Sequence, residues 1–354
     1  MRCYCVEEHG APLQEIHLPR PEPQGTEVLI KVHAAGLCHT DLHLWDGYYD
    51  LGQGKKLALA ERGVKPPLTL SHEISGEVVA YGEQVQDLAL GTQTLLHPWI
   101  GCGSCRYCQA EQENLCLKPQ QLGIVQPGGF AEYILVPHPR YLVDLDGLDP
   151  AQAAPLACAG LTTFSALNKF AAKIQQQPVV IIGAGGLGLM ALTLLNAQHA
   201  KGAILVDIDD TKLQTAQQLG ALATINSQAQ EATAQLQALT GGGAGLILDL
   251  VGSRNSLEFA LKHAARGAHI VVCGLMGGDI DLPIPSLVMR PVTIQGSYVG
   301  TVDELRALLK LVRERNLNMI PIQTRPIHEV NQAFADLQQG KVTGRVVLLH
   351  TSEA

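Results

Sequence analysis

The chain of 354 residues is 46% hydrophobic and 16% charged, which is enough apolar material for two folded domains and too much for intrinsic disorder. Its net charge of -8 and its lack of a Lys/Arg cluster argue against nucleic-acid and membrane partners, so we expect a small-molecule partner. The polar first ten residues and the absence of an 18-residue apolar run predict a cytoplasmic protein, whose cysteines stay reduced or bind metal.

The predicted elements divide the chain into two regions. Short β-branched runs such as 26–36 and 74–85, separated by Gly and Pro, predict a β-rich region up to about residue 150. From Pro178 onward, apolar strand candidates alternate with helical stretches, which is typical of a parallel sheet covered on both faces. A predicted helix over 303–315 and a predicted strand over 344–350 complete the chain.

Two cysteines and one histidine stand in three separate segments. Cys38 lies in GLCHTDLHLWDG, His72 in LSHEISGEVVAYG and Cys158 in PLACAGLTTFSAL. Each alone is more typical of an ordinary core residue than of a ligand. Together they offer two thiolates and one imidazole, which leaves the fourth position of a tetrahedral zinc ion for water or substrate. We therefore predict a catalytic zinc site.

A second group of cysteines lies in GCGSCRYCQAEQENLC at 101–116, and its members are Cys102, Cys105, Cys108 and Cys116. Four thiolates around one Zn²⁺ ion form a closed tetrahedral shell, which is the structural kind of zinc site. An iron-sulfur cluster also takes four cysteines, but the bacterial spacing differs from this one. Zinc is the favoured interpretation, with an iron-sulfur cluster or unliganded thiols as alternatives.

A glycine-rich turn follows the first strand of the second region. Gly183, Gly185 and Gly188 spell GAGGLG between the strand PVVII and a helix, and Asp207 ends the next strand. This context is typical of dinucleotide binding, in which the pyrophosphate approaches the N-terminus of the helix. Acidic residues at 207, 209 and 210 would repel a 2'-phosphate, so we predict NAD rather than NADP. The alternative is that the glycines only allow close packing of the helix on the sheet.

Together these motifs resemble the zinc-containing alcohol dehydrogenases of the medium-chain dehydrogenase/reductase family, nearly from end to end. The segments that carry the resemblance are CHTDLH at 38–43, the His-Glu pair at 72–73 with its Gly and Val spacing to 85, the cysteines at 102–116, Cys158 before GLT at 160–162, GAGGLG at 183–188, VDID at 206–209, GSYVG at 296–300 and GR at 344–345.

The resemblance implies an α/β protein of two domains. A GroES-like, mostly-β catalytic domain would comprise residues 1–159 and 299–354, with a structural zinc lobe at about 97–118. A Rossmann coenzyme domain, built on a doubly wound parallel sheet, would occupy residues 160–298. The active site would lie in the cleft between the two domains.

The implied activity is reversible hydride transfer between an alcohol and NAD, giving an aldehyde or a ketone. The alcohol would be primary or secondary, and aliphatic or aromatic; the implied cofactors are NAD and two Zn²⁺ ions per chain. Two alternatives stay open. A polyol dehydrogenase of the same superfamily commonly has Glu where this chain has Cys158, and a non-catalytic zinc- and NAD-binding protein would need no proton relay.

By resemblance, four residues near the catalytic zinc have chemical roles. Thr40 would accept the alcohol proton and pass it through the coenzyme ribose to His43 and solvent. Asp41 would accept the ring hydrogen of His72 and fix that ring. Glu73 is similar to an auxiliary acid beneath the zinc.

The resemblance also implies a set of coenzyme contacts, namely His39, Thr162, Gly183, Gly185, Gly186, Leu187, Gly188, Asp207, Lys212, Val251, Ser297, Val299 and Arg345. In this set His39 and Arg345 would hold the pyrophosphate. Thr162 would pack on the nicotinamide, and Lys212 would lie beside the adenosine ribose. The candidate pocket residues are Trp45, Tyr49 and Trp99, because their segments resemble those that flank the catalytic zinc.

Two features depart from the family pattern. The family usually has Gly before the His-Glu pair, whereas this chain has Ser71, and a strained φ there would cost stability. The stretch 51–65, LGQGKKLALAERGVK, is longer than in compact members, and we expect it to reshape substrate access. Relatives of this length are commonly tetramers, so we expect a homotetramer, with a dimer as the alternative.

Overall fold

Strands dominate the first 150 residues of the computed structural model, which describes residues 1–317 and 319–350. The helices and strands up to residue 168 are β1 (Arg2–Val6), β2 (Gln14–His17), β3 (Val28–Leu37), α1 (His39–Asp46), β4 (Tyr48–Asp50), β5 (Lys56–Ala58), β6 (Leu68–Thr69), β7 (Glu73–Tyr81), β8 (Gln93–Leu96), α2 (Arg106–Gln109), β9 (Tyr133–Val136), β10 (Leu142–Asp144), α3 (Pro150–Ala153) and α4 (Ala159–Asn168).

Strands and helices alternate in the rest of the chain. These elements are β11 (Val179–Ile182), α5 (Gly186–Ala197), β12 (Ala203–Asp207), α6 (Asp210–Gln218), β13 (Ala223–Asn226), α7 (Ala232–Thr240), β14 (Ala244–Asp249), α8 (Arg254–His263), β15 (Ala264–Val272), α9 (Ile284–Met289), β16 (Val292–Gly296), α10 (Val302–Glu314), β17 (Ile322–Pro326), α11 (Val330–Gln338) and β18 (Arg345–Leu349). Across the described residues, every helix is too short or too polar to cross a bilayer.

Six of these strands form a parallel sheet in the order β13-β12-β11-β14-β15-β16. Side chains of β11 alternate between two cores, since Val179 and Ile181 pack with α5 whereas Val180 and Ile182 pack with residues of α7 and α8. Burial on both faces explains the unbroken apolar runs in the sequence. The order is that of the doubly wound dinucleotide-binding fold, so the predicted Rossmann sheet is confirmed.

The other main sheet has seven strands, in the order β10-β8-β7-β3-β18-β17, and β9 also pairs with β3. Its last two strands come from the end of the chain, because β18 pairs antiparallel with β3 and places Val347 opposite Gly36. Residues from both ends of the chain therefore build this sheet, which flanks the cleft at the carboxyl ends of the parallel strands. Such a crevice is where open α/β sheets bind ligands.

Candidate active site

Three metal-ligating side chains meet at one end of the seven-stranded sheet. Strands β3 and β7 are antiparallel, with Gly36 opposite Glu73, so Cys38 just after β3 lies near His72 just before β7. Cys158 joins them from the N-terminus of α4. The three ligand atoms all lie within 4.8 Å of one another, and all three residues are buried. This donor set suits a tetrahedral zinc ion with one position left for another ligand.

The state of these donors also fits a metal. Both ring nitrogens of His72 are buried and make no hydrogen bond with the described residues. A hydrogen bond from Cys158 holds the pKa of the Cys38 thiol well below its usual range. Unpaired buried polar atoms are rare in native proteins, and binding a metal ion would satisfy this imidazole beside a thiolate.

Asp41 holds together the two segments that carry Cys38 and His72. One of its carboxylate oxygens accepts a hydrogen bond from the Cys38 backbone N–H (2.8 Å) and the other accepts one from the Ser71 N–H (3.0 Å). Its Oδ1 lies 3.6 Å from Nδ1 of His72, which is longer than a hydrogen bond. The prediction that Asp41 accepts a hydrogen bond from the His72 ring is therefore wrong. Asp41 orders the ligand backbones, because its two oxygens are taken by N–H groups on adjacent segments.

Glu73 and Arg345 form a buried ion pair beneath this site. Arg345 Nη2 lies 3.2 Å from Oε1 of Glu73 and 3.9 Å from the sulfur of Cys38. Burial raises the pKa of Glu73 to about 7, and the charge of Arg345 opposes that rise. The guanidinium also lies next to the glycine-rich turn, since a Cβ on Gly186 would come within 3.1 Å of it. Arg345 thus connects the ligand cluster with the N-terminus of α5.

A cavity of about 200 Å³ opens beside Cys38 and Cys158. The other predicted residues on its wall are Thr40, Tyr49, Trp99, Thr162, Leu187, Ser297 and Val299. Thr40, Tyr49 and Trp99 come from the β-rich region. Leu187 and Ser297 follow strands of the parallel sheet. The cavity therefore lies in the cleft, with the ligand cluster on one side and the sheet's carboxyl edge on the other.

Three other predicted residues lie outside this wall. The ring of His43 is half-buried and has its centroid 4.8 Å from that of Tyr49, and burial lowers the pKa of His43. His39 begins α1 with an exposed side chain. The prediction that Trp45 lines the pocket is wrong, because its ring packs on Phe334 and its indole N–H donates to the Ala11 carbonyl. The register of α1 turns Trp45 toward α11 and away from the cavity.

The glycine-rich turn has the geometry that a pyrophosphate needs. Gly183 has a φ of 100°, and a Cβ on Gly188 would lie 1.9 Å from its carbonyl oxygen. A Cβ on Gly186 would lie 2.6 Å from the Gly344 oxygen, and one on Gly183 would lie 2.9 Å from a methyl group of Val251. By contrast, a Cβ on Gly185 would meet nothing within 4 Å. Three glycines therefore allow close packing, and the fourth leaves open space at the N-terminus of α5.

Asp207 at the end of β12 braces this turn. Its carboxylate accepts hydrogen bonds from the backbone N–H groups of Ala184 (2.6 Å), Ile208 (2.7 Å) and Asp209 (3.0 Å). Lys212 lies 3.7 Å from a carboxylate oxygen of Asp209. The residue predicted to bind the ribose thus fixes the turn, a role that spacing in the sequence did not indicate.

The four lobe cysteines also converge, with all four sulfurs within 4.8 Å of one another. Backbone N–H groups of Cys102 and Lys118 donate to the sulfur of Cys116 (3.2 and 3.3 Å). A Cβ on Gly101 would lie 2.5 Å from the sulfur of Cys108, so glycine is required there. Hydrogen bonds from the backbone of Ser104 lower the pKa of Cys102 to about 5. Thiolates that also accept N–H bonds are typical of a closed metal site.

Comparisons with known proteins agree with this geometry. Residues 24–147 match the alcohol dehydrogenase GroES-like domain, and residues 186–314 match the zinc-binding dehydrogenase domain. The NAD-dependent alcohol dehydrogenase of Sulfurisphaera tokodaii is 35% identical over 99% of this chain and 100% of its own length. The chain belongs to the zinc-binding alcohol dehydrogenase family.

Other members of the alcohol dehydrogenase family show the same likeness. The crystal structure of the alcohol dehydrogenase from Aeropyrum pernix superposes with a TM-score of 0.89, at 29% identity over 99% of this chain and 100% of that one. The D-arabinose 1-dehydrogenase (NADP(+)) of Saccharolobus solfataricus is 31% identical over 97% of this chain and 96% of its length. The predicted family, fold class and oxidoreductase class are confirmed.

Within this alcohol dehydrogenase fold, sequence reasoning missed part of the cavity wall. Leu59, Arg62, Val64, Gln121 and Tyr298 also line it. Residue 298 stands inside the quoted GSYVG motif, and the first three belong to the stretch 51–65 that departs from the family pattern. The GSYVG motif and the unusual stretch 51–65 indicated these two segments in the sequence. Only the fold decides which of their side chains face the cavity.

The 51–65 stretch lies beside the cleft, as we expected. It contains most of the β4–β5 hairpin and a 3₁₀ turn over Leu59–Arg62. The hairpin contacts the loop that follows β15 of the parallel sheet, since the Gly278 N–H donates to the Asp50 carbonyl (3.2 Å) and Gln53 donates to Asp279. The segment therefore spans the cleft beside the cavity.

Proposed function

We propose that this protein is a zinc- and NAD-dependent alcohol dehydrogenase that interconverts a primary or secondary alcohol with its aldehyde or ketone. The observation that carries the proposal is the cavity itself. Its wall contains Cys38 and Cys158 of the ligand cluster, and facing them stand Leu187 and Val299 beside the carboxyl ends of the parallel strands. A substrate in this cavity would contact the metal ion and the coenzyme at once, which is the geometry that hydride transfer requires.

The proposed reaction depends on a metal ion held by three residues of the chain. Cys38, His72 and Cys158 would hold the catalytic zinc. When bound, zinc makes an alcohol hydroxyl acidic near neutral pH and NAD accepts the hydride. Burial of the ligand cluster excludes bulk water, which strengthens electrostatic effects at the reacting oxygen.

A proton path from the cavity to solvent is the next part of the proposal. Thr40 lies on the cavity wall, and its hydroxyl can both accept a proton and donate one. His43 lies one helical turn further along α1, half-buried beside Tyr49. We infer that Thr40 takes the proton from the substrate and that His43 releases it to solvent; a hydroxyl of the coenzyme, when bound, would supply the link between them.

The coenzyme contacts support NAD over NADP. Asp207 stands at the end of β12, and Asp209 and Asp210 follow it directly. A 2'-phosphate near Asp207 would meet like charges. The family includes the D-arabinose 1-dehydrogenase named for NADP(+), so coenzyme preference differs among relatives and is proposed here on these carboxylates.

Two separate clusters support two zinc ions per chain. The three-residue cluster leaves one position open, whereas the four cysteines of the lobe fill every position of a tetrahedral ion. We propose that the first ion is catalytic and the second structural.

We further infer a homotetramer in the cytoplasm. On α9 the side chains of Ile284, Val288 and Met289 are 77%, 75% and 68% exposed, and β16, the next element in the chain, is an edge strand that pairs only with β15 among the described residues. Another copy could cover this apolar surface and unpaired edge. Sedimentation velocity tests it, since a monomer at the chain mass of 37.8 kDa or a dimer at twice that mass would contradict the tetramer. The cysteines form no disulfide among the described residues, which supports a reducing compartment.

The variant Cys158→Ser tests the catalytic assignment, with Cys105→Ser in the lobe as the matched control. We expect C158S to lose one of two zinc ions and more than about 100-fold of its benzyl alcohol oxidation rate, because the Lewis acid is lost. NADH binding should be retained. C105S should lose the other zinc ion and lower the thermal midpoint first, since a closed site contributes folding free energy. Metal analysis, NADH fluorescence and initial rates provide the measurements, and wild-type turnover in C158S would refute the proposal.

A further inference from the structure

The wall of the active-site cavity is mostly apolar and carries a single guanidinium. Among its described lining residues are Leu44, Leu59, Val64, Ile124 and Val125, but no Asp or Glu. Apart from the cysteines of the zinc cluster, Arg62 is the one lining residue with a charged side chain. An isolated cation on an apolar wall creates a local preference for an anion.

Arg62 is held in place by its own turn. It ends the 3₁₀ turn over Leu59–Arg62, and Gly63 then closes the turn in the left-handed conformation at a φ of 82°. On either side, Leu59 and Val64 are each 4% exposed and pack into the core of the β-rich region. These two anchors fix the backbone beneath the Arg62 side chain, which is exposed at the mouth of the cavity.

The charge of Arg62 has no partner among the described residues, as the side chain makes neither an ion pair nor a hydrogen bond there. Several other arginines are paired with carboxylates, as Arg345 is with Glu73 and Arg325 with Asp336. Its five N–H donors therefore stay free for a ligand.

Two phenol side chains, those of Tyr49 and Tyr298, line the same cavity as this guanidinium. Burial raises the pKa of Tyr49 and the pKa of Tyr298, and the positive charge of Arg62 partly opposes both rises. The Gln121 amide lies 3.5 Å from the Tyr298 hydroxyl and lines the same cavity. Two hydroxyls and an amide thus line the cavity together with one cation, and this group of donors suits an acceptor with negative charge.

We propose that the alcohol substrate carries a carboxylate at the end remote from its hydroxyl, and that Arg62 binds this carboxylate. The inference rests on the proposed function and adds the class of substrate. A planar guanidinium pairs with a carboxylate through two parallel hydrogen bonds, and the apolar wall between Arg62 and the zinc cluster suits the hydrocarbon that links the two ends. A phosphate dianion or a sugar would need more polar partners than this wall presents.

Matched substrates test the proposal directly. The pairs are 4-(hydroxymethyl)benzoate with 4-(hydroxymethyl)benzamide, and 6-hydroxyhexanoate with 6-hydroxyhexanamide, since each amide keeps the shape and removes the charge. With saturating NAD, we expect wild type to prefer the carboxylate of each pair in kcat/KM. The ratio should fall about 10- to 100-fold in Arg62→Ala, mainly through KM, and reverse in Arg62→Glu. Lys65→Ala, which changes an exposed cation three residues away, should keep the wild-type ratio.

Binding measurements separate this inference from the proposed function. Calorimetry gives the Kd of 6-hydroxyhexanoate and of its amide for the NADH-bound protein, in which an alcohol cannot be oxidised. A preference for the carboxylate that Arg62→Ala abolishes supports the inference even if no alcohol is turned over. Equal binding of the two, a preference that survives Arg62→Ala, or a preference of wild type for D-arabinose over both acids would overturn it.

Discussion

Ser71 lies directly before the His72 ligand with a φ of 72°, in the left-handed region that costs an L-residue about 1 kcal/mol. Two contacts offset that strain. Its hydroxyl donates to the Gly36 carbonyl (2.9 Å) and its N–H donates to Asp41. The backbone cannot relax, because a Cβ on Gly123 would lie 2.3 Å from the Ser71 oxygen, which shows how closely the two chains pass. The side chain is thus retained in a conformation that glycine would adopt freely.

Replacing Ser71 in two ways separates these effects. Ser71→Gly relieves the strain but loses the hydroxyl bond, so we expect its unfolding free energy to stay within about 1 kcal/mol of wild type. Ser71→Ala keeps the strain and loses the same bond, and should be about 1 kcal/mol less stable than Ser71→Gly. Thermal midpoints of the zinc-loaded proteins measure both. An alanine variant as stable as the glycine variant would show that the φ carries no strain.

At the scale of elements, the turn between β11 and α5 depends on which glycine faces the helix and which faces the cleft. Gly188 lies inside α5 against the carbonyl of Gly183, whereas Gly185 stands at the N-cap with open space around it. The helix N-terminus presents free N–H groups there, which attract an anion. One motif therefore contains positions that serve packing and a position with space for a ligand.

A pair of alanine variants distinguishes the two kinds of position. In Gly188→Ala, the new methyl group would meet the Gly183 oxygen at 1.9 Å, so we expect a lower thermal midpoint together with weaker NADH binding. In Gly185→Ala, the methyl group is free of protein contacts and should leave the midpoint unchanged. It should still weaken NADH binding about tenfold, because it occupies the space of the pyrophosphate. NADH fluorescence titration is the measurement, and unaltered affinity in Gly185→Ala would place the pyrophosphate elsewhere.

On the scale of the whole molecule, two buried histidines connect distant parts of the chain. His97 lies 3.2 Å from the Gly300 carbonyl, and His350 lies 2.8 Å from the Gly129 carbonyl. Burial lowers the pKa of both rings from 6.5 to about 4. Between pH 6.5 and pH 4 the unfolded chain therefore binds more protons at these sites than the folded one, so stability declines as the pH falls through this window.

This linkage predicts an acid-sensitive fold. Each of the two histidines should lower the unfolding free energy by about 2 kcal/mol between pH 7 and pH 5. His97→Gln removes one of these sites, and its thermal midpoint should fall less than that of wild type over this range. His17→Gln, at an exposed histidine, serves as the control and should follow wild type. If all three proteins lost stability in parallel, protonation of His97 would not contribute.

The sequence by itself predicted the parallel sheet, the glycine-rich turn and the four-cysteine lobe. These features are local: unbroken apolar runs predict buried strands, and four cysteines in close spacing favour zinc. The tertiary structure was needed to bring Cys38, His72 and Cys158 together, because these residues lie far apart in the chain. Only the tertiary structure decided where Trp45, Asp41 and Arg62 point. A one-residue rotation along α1 decides whether Trp45 meets α11 or the cavity. The pairing of β3 with β7 brings two N–H groups to Asp41. Arg62 reaches the cleft because its turn is anchored in the core. These positions depend on contacts between segments far apart in the chain, and such contacts have no periodicity or spacing that a sequence displays.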